Sequence, residues 1–359
     1  MLYMQLKTKQ QILNITPYKP GKAKLAAGNN NDIIKLSSNE NPYGASPKAI
    51  QAYQTASSNL HLYPDGGSNY LRNCIAEVNK INPDNIICGA GSDEVLELIA
   101  YAFCGEGDEV LYSQHGFLVY PIAAMSAGAK PVQVPEQDFT TNVDGFIKAV
   151  NDKTRIIFIA NPNNPTGTYI NIQELTKLCD NVPNNVLIVV DSAYAEYMQE
   201  DDYIAGIELA EKYDNVIMTR TFSKLYGLAG LRLGWGYANA KIIDILNRIR
   251  PPFNINTPAQ IAGAAAVYDQ AFVQESANKN NKARADFCEG LKNLGFKYIQ
   301  SYANFVSVCF NNAEQAFNLL QDNGIIVRQL DSYGMPDYLR ITIGTAEQMK
   351  KIINILAKI

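Results

Sequence analysis

The chain has 359 residues, of which 47% are hydrophobic and 18% charged, with a formal net charge of −4. A balance this close to neutral, on the acidic side, argues against a nucleic-acid or anionic-membrane surface, and the composition is that of an ordered globular protein. At roughly one domain per ~150 residues, the length predicts two domains.

The N-terminal stretch MLYMQLKTKQ lacks the apolar core of a signal peptide, and no run approaches the ~18 apolar residues of a membrane span. The six cysteines, Cys74, Cys88, Cys104, Cys179, Cys288 and Cys309, are widely spaced and mostly in apolar contexts. They read as small buried hydrophobes in a reducing compartment, so a cytoplasmic location is expected. His61 and His115 are the only histidines and no G-x-S-x-G occurs, which leaves a multi-histidine metal site or a Ser–His–Asp triad little to draw on. No metal is expected.

Residues 1–35, with Pro17, Pro20, Gly21 and the polar run GNNND, read as an extended N-terminal arm. Residues 36–260 read as a large domain whose opening stretch contributes to the small domain and to closure over the site. Within it, NIICGAG, DEVLYS, KPVQVP, TRIIFIANP, NVLIVVDSAY and NVIMTRTFS are strand-like. Helical patterns such as SDEVLELIAYAFC and NIQELTKLCDN lie between them. Runs as uniformly apolar as VLIVV suit strands buried on both faces of a mainly parallel sheet, so the fold class is α/β, with helices flanking the sheet. Residues 261–359 hold the rest of one long helical region (257–295) and a small α+β domain built from YANFVSVCF, NAEQAFNLLQDNG, IIVRQL, YLRITIG and a last helix.

Four features in the large domain fall at predicted strand ends, where open α/β sheets bind ligands. CGAGSDEVLEL (88–98) offers backbone N–H groups at a helix N-terminus, with Ser92 and Asp93 in the first turn. A capped turn fits the same residues, and Glu94 stands where a dinucleotide fingerprint needs its third glycine, which disfavours a nicotinamide enzyme. ANPNNPTG (160–167) is a stiff turn with room for a cis peptide. It is either a plain connection or the support for an Asn164 amide that donates to a ligand oxygen. In LIVVDSAYAEY (187–197), Asp191 follows four apolar residues. An unpaired buried carboxylate is costly, so Asp191 needs a cationic partner or caps the next helix, and Tyr194 can share its pocket.

TRTFSKLYGLAGLRLGWG (219–236) places Lys224 and Arg232 in a stretch that otherwise reads as interior. Burial lowers a lysine's pKa and makes its amine a nucleophile toward aldehydes. Pyridoxal 5′-phosphate (PLP) needs such a lysine, an acid at its ring nitrogen, a phosphate cup and a group at its 3-oxygen. Lys224, Asp191, the set Ser92, Ser223 and Arg232, and the pair Asn164 and Tyr194 answer these needs in turn.

NPNNPTG, DSAYAEY, TRTFSKLYGLAGLRLGWG and LRITIG, in this order and across nearly the whole chain, resemble the fold-type-I PLP-dependent aminotransferases, of the class-II family. ITPYKPGK (15–22), LSSNENPYGASP (36–47), LYPDGGSNYLR (62–72), QHGFLVYP (114–121), RPPFNINTPAQ (250–260), ANFV (303–306) and GIIVRQLDSYGMPDYLRITIGT (324–345) are similar to the histidinol-phosphate branch of that family. The resemblance implies that Lys224 forms the aldimine with PLP and shuttles the proton, while Asp191 keeps the ring nitrogen protonated. It implies that Asn164 and Tyr194 bond the 3-oxygen and that Phe117 stacks on the ring. Ser92, Asp93, Ser223 and Arg232, helped by Thr221, would hold the phosphate. Tyr63 would reach the partner's cofactor in a homodimer. Arg340 and Arg328 would grip the substrate's anionic end, with Tyr18 and Asn39 on the segments that close over it. The implied small-molecule partners are histidinol phosphate and glutamate or 2-oxoglutarate, exchanging an amino group by a ping-pong route in histidine biosynthesis. Aromatic amino acid aminotransferases and a threonine-phosphate decarboxylase are alternatives within the same family. A ligand-sensing module attached to a DNA-binding domain is disfavoured, because too few residues precede the first domain to form one.

Overall fold

The computed structural model describes residues 8–18 and 33–359. The polar run at 28–32 and the far end of the 15–22 segment lie outside the described residues.

A seven-stranded sheet forms the centre. Its strands are β2 (Ile86–Gly89), β3 (Glu109–Ser113), β4 (Lys130–Val134), β5 (Thr154–Ala160), β6 (Leu187–Asp191), β7 (Val216–Thr221) and β8 (Gly234–Ala238), while β1 (Ile34–Lys35) lies elsewhere. The order is β2-β8-β7-β6-β5-β3-β4. Strands β3 to β7 pair in parallel, and β8 runs antiparallel to both of its neighbours. Successive side chains point to opposite faces. Thus Ile157, Ile159, Ile188, Val190 and Met218 pack into one core with Leu71, Ile75, Leu175 and Leu178. Ile156, Phe158, Val189 and Ile217 pack into another with Val95, Leu96, Ile99 and Leu246. Burial on both faces explains the uniformly apolar strand sequences.

The sequence reading misses β8 because Gly234 and Gly236 weaken strand propensity. The space explains the glycine: a Cβ at Gly234 would run into the backbone N of Ser92. The region 257–295 is not one helix but two, Thr257–Tyr268 and Gln270–Asn293. Asp269 breaks it, held outside helical geometry while its carboxylate accepts from Ser46 Oγ (2.5 Å) and Lys48 Nζ (3.0 Å).

IIVRQL also divides. β10 (Ile325–Ile326) pairs in parallel with β1, whereas β11 (Arg328–Gln329) pairs with β12 (Tyr338–Thr342), which pairs in turn with β9 (Phe305–Cys309). The N-terminal region read as extended therefore contributes a strand to the C-terminal part of the molecule. Among its described residues it also contains a helical turn, Gln10–Leu13. All six cysteines are free, and no described helix is long and apolar enough to cross a membrane.

The parallel strands end side by side, with Ala160 opposite Asp191 and Asp191 opposite Thr219. Their carboxyl ends form the floor of the site.

Candidate active site

A cleft of about 240 Å³ opens over these strand ends. Asp191 and Thr221 line it from the sheet itself, and Ser92, Asp93, Phe117, Asn164, Tyr194, Ser223, Lys224 and Arg232 from the helix and loops that follow its strands; Tyr18, Asn39, Arg328 and Arg340 line it from the N-terminal and C-terminal segments. Every residue assigned from the sequence to cofactor or substrate is on this wall except Tyr63. Tyr63 is 83% exposed and stacks on Phe253, with ring centroids 4.6 Å apart.

Asp191 ends β6 and is 4% exposed. The sequence demanded a cation or a helix cap for it, and the structure supplies neither. Its oxygens accept from two hydroxyls, Tyr120 Oη at 2.7 Å and Thr219 Oγ1 at 3.1 Å, and from the Ala193 backbone N–H, and no cation among the described residues forms an ion pair with it. Burial pushes its pKa up to about 6, and the hydroxyl from Tyr120 works against that rise. Tyr120 is buried beneath Phe117 and stacks on Phe158. The sequence reading did not single it out, since a tyrosine in an apolar run reads as core. Its position three residues after Phe117, with a hydroxyl needing a partner once buried, was the available signal.

Lys224 follows β7, and its Nζ donates to the Ser38 carbonyl at 3.1 Å. Burial lowers its pKa to about 8, and the neighbouring Arg340 guanidinium adds to the effect. A half-buried amine and a buried acid thus share one cleft without pairing to each other.

The anion end is built from two directions. Gly91, in the left-handed region at φ 88°, turns the chain into the helix Ser92–Phe103, whose start has no side-chain cap. The first N–H groups of a helix have no partner within it, so those of Ser92 and Asp93 are available to a ligand. Arg232, itself at φ 50°, donates from Nη1 to Ser223 Oγ at 3.0 Å and pairs through Nη2 with Asp93 at 3.2 Å. A Cβ at Gly91 would lie 2.5 Å from Arg232 Nη2, so glycine lets the guanidinium lie against the turn. Thr221 Oγ1 accepts from Ser223 N and fixes that corner.

On the opposite wall, Arg340 of β12 is 6% exposed. It donates from Nη1 to Asn164 Oδ1 and from Nη2 to the Ser37 carbonyl, while its Nε is buried with no partner. With Oδ1 committed to Arg340, the NH₂ end of Asn164 is the half of the amide left to donate. ANPNNPTG contains two cis peptide bonds, Asn161–Pro162 and Asn164–Pro165. Tyr194 Oη accepts from Asn39 Nδ2 at 2.8 Å, and burial holds its pKa above the usual range. Arg328 faces Arg340 across the β11–β12 pair and lies 6.0 Å from the Tyr18 ring.

These residues fit PLP. A carboxylate buried without a protein cation matches a protonated ring nitrogen, the depressed amine matches the aldehyde, and Ser92, Ser223 and Arg232 match a phosphate.

Comparison with known proteins agrees. Residues 31–356 match the family described as aminotransferase class I and II. The histidinol-phosphate aminotransferase of Maricaulis maris is 46% identical over 359 residues, covering 99% of each chain. The enzyme of that name from Rhodopseudomonas palustris is 46% identical over 341 residues, covering 94% of this chain and 93% of its own. Among solved structures, histidinol-phosphate aminotransferase from Sinorhizobium meliloti in complex with pyridoxal-5′-phosphate superposes with a TM-score of 0.86 at 27% identity, covering 93% of this chain and 91% of that one. Aspartate aminotransferase from Thermus thermophilus, at 21% identity and a TM-score of 0.82, shares the fold.

Proposed function

The chain belongs to the class I and II aminotransferases, and from that premise we propose that it is a histidinol-phosphate aminotransferase. It exchanges the amino group between L-histidinol phosphate and 2-oxoglutarate, with PLP as resident cofactor. The relatives that are 46% identical across almost the whole chain support this substrate. The observation that carries the chemistry is Asp191, buried with no protein cation, in the same cleft as the depressed amine of Lys224.

When bound, PLP supplies an aldehyde that condenses with amines and a protonated ring that draws electrons from the adjacent carbon. The chain's own residues do the rest. Asp191 would hold the positive charge at the ring nitrogen, Phe117 would stack on the ring, and Asn164 and Tyr194 would donate to the 3-oxygen. The backbone N–H groups of Ser92 and Asp93, with the side chains of Ser92, Thr221, Ser223 and Arg232, would hold the phosphate. Lys224 Nζ, whose pKa of about 8 leaves a useful share of amine unprotonated near neutral pH, takes and returns the proton at the substrate's α-carbon.

Histidinol phosphate brings a phosphate and no α-carboxylate, whereas glutamate brings two carboxylates. One wall must receive both in alternation. A planar guanidinium forks onto carboxylate and phosphate alike, so Arg340, with Arg328 beside it, serves each in turn while Tyr18 and Asn39 cover the site. This alternation is ping-pong kinetics. The exposed Tyr63–Phe253 stack supports a homodimer in which Tyr63 reaches the partner's phosphate cup. The free cysteines support a cytoplasmic location.

The direct test is optical. Purified protein should be yellow, borohydride should fix the chromophore onto Lys224, and histidinol phosphate should bleach it where phenylalanine alone does so poorly. Protein that stays colourless after saturation with PLP would overturn this reading.

A further inference from the structure

Glu94 is the residue that interrupts the glycine pattern of the turn at 89–94. Its carboxylate folds back on that turn: Oε2 accepts from Ala90 N at 2.6 Å and from Asn254 Nδ2 at 2.6 Å. Asn254 also donates to the Cys88 carbonyl at 3.2 Å, and its Oδ1 accepts from Arg250 Nη1 at 2.8 Å. Strand β2, the turn and the distant segment 250–254 are thus joined at one carboxylate.

This arrangement needs a reason, because a carboxylate in the first turn stands close to where the phosphate belongs and would repel it. The hydrogen bonds supply one. Glu94 consumes the N–H of Ala90, and the Gly91 N–H goes to the Gly89 carbonyl at 2.8 Å. The two donors that could point astray are therefore spent within the turn, and those of Ser92 and Asp93 remain for the ligand. Asn254 and Arg250, in turn, hold the Glu94 side chain in place.

On the reading that Ser92, Ser223 and Arg232 hold a phosphate, we infer that Glu94 and Asn254 are positioning residues that shape the phosphate cup from behind without touching its occupant. The neighbouring Phe253 carries Tyr63, so the same short segment sets the back of the cup and the platform under the exposed tyrosine.

The test compares the affinity of apo-protein for PLP and for pyridoxal, which has the same ring and aldehyde but no phosphate, with binding read by absorbance or fluorescence. Glu94→Ala and Asn254→Ala should each weaken PLP binding by about tenfold or more, the worth of one charge-assisted hydrogen bond. Pyridoxal affinity should change by less than about threefold, and the double variant should be little worse than either single one, because the two residues act as one unit. Glu94→Gln, which keeps shape and an acceptor, should fall between wild type and Glu94→Ala and serves if the alanine variants fold poorly. Parallel losses for the two ligands would mark a general structural fault, and no loss for either would mark an idle contact; both results overturn the inference. A wild-type protein that binds PLP no better than pyridoxal would instead overturn the phosphate-cup reading beneath it.

Discussion

Tyr120 Oη donates to Asp191 Oδ2 at 2.7 Å, and its ring lies within 4° of parallel on Phe158 at 4.7 Å. The stacking fixes the phenol, and the phenol fixes the acid. This hydroxyl stabilises the charged form of a carboxylate that burial alone would drive further up. Tyr120→Phe should therefore raise the Asp191 pKa of the apo-protein above about 6 and shift the pH range over which that acid titrates upward. It should lower kcat near neutrality by about tenfold, one hydrogen bond to a charged group. An unmoved pH dependence of apo-protein stability, read by chemical denaturation, would show that Asp191 does not need this donor.

The same burial has a cost in stability with a definite sign. The folded pKa of Asp191 is raised to about 6, so its contribution is fully present below the ordinary carboxylate value and is lost as pH rises through about 6. A rise of about 2 units corresponds to about 3 kcal/mol. Asp191→Asn apo-protein should lose this pH dependence and be more stable at pH 7 by about 1–3 kcal/mol, since an amide loses some of the hydroxyl bonds. It should also lose transamination. Chemical denaturation at pH 4 and pH 7 measures the first effect.

Lys224 titrates in the opposite sense. Its amine is protonated below about 8, so capture of PLP by apo-protein should slow as pH falls through that value and level off above it. Removing the nearby positive charge with Arg340→Gln should move the midpoint to higher pH. Stopped-flow capture rates across the pH range give both midpoints. Lys224→Ala should bind PLP without a covalent link and should not transaminate.

Arg340→Gln should also raise KM for glutamate and for histidinol phosphate together, each by about tenfold to a hundredfold, because one fork serves both anions. Steady-state kinetics of each half-reaction checks this. A loss confined to one substrate would assign the other to Arg328.

If Tyr63 serves the partner's site, two damaged chains can repair each other. Tyr63→Ala and Lys224→Ala protomers should each be weak alone. A re-equilibrated equal mixture should regain about a quarter of the wild-type sites, since half the dimers are hybrids with one intact site each. No recovery would mean that Tyr63 acts within its own chain or not at all.

The sheet was legible because its strands are apolar on both faces, and Asp191 and Lys224 because charge in such runs demands an explanation. Tyr120 was hidden by the same logic in reverse, since its ring belongs in a core and only its hydroxyl does chemistry. Glu94 looked like a defect in a glycine pattern, because nothing local reveals Asn254, which lies 160 residues away. Strand β8 was obscured by glycines that exist to let the Ser92 turn come close, and the break at Asp269 by partners on another helix. Each miss has a long-range contact as its cause, which periodicity cannot encode.

Residues 34–37 are sewn into the C-terminal sheets: Leu36 N donates to the Ile326 carbonyl at 2.7 Å, and the Leu36 carbonyl accepts from Thr342 N at 3.0 Å. The carbonyl of the very next residue, Ser38, accepts a hydrogen bond from Lys224 Nζ, and the Ser37 carbonyl accepts one from Arg340. The ceiling of the cleft is therefore bonded to the same sheets that carry Arg340. The lysine's tether and the arginine's footing thus sit on adjacent residues of one strap, so a change of backbone at 37–38 bears on both at once.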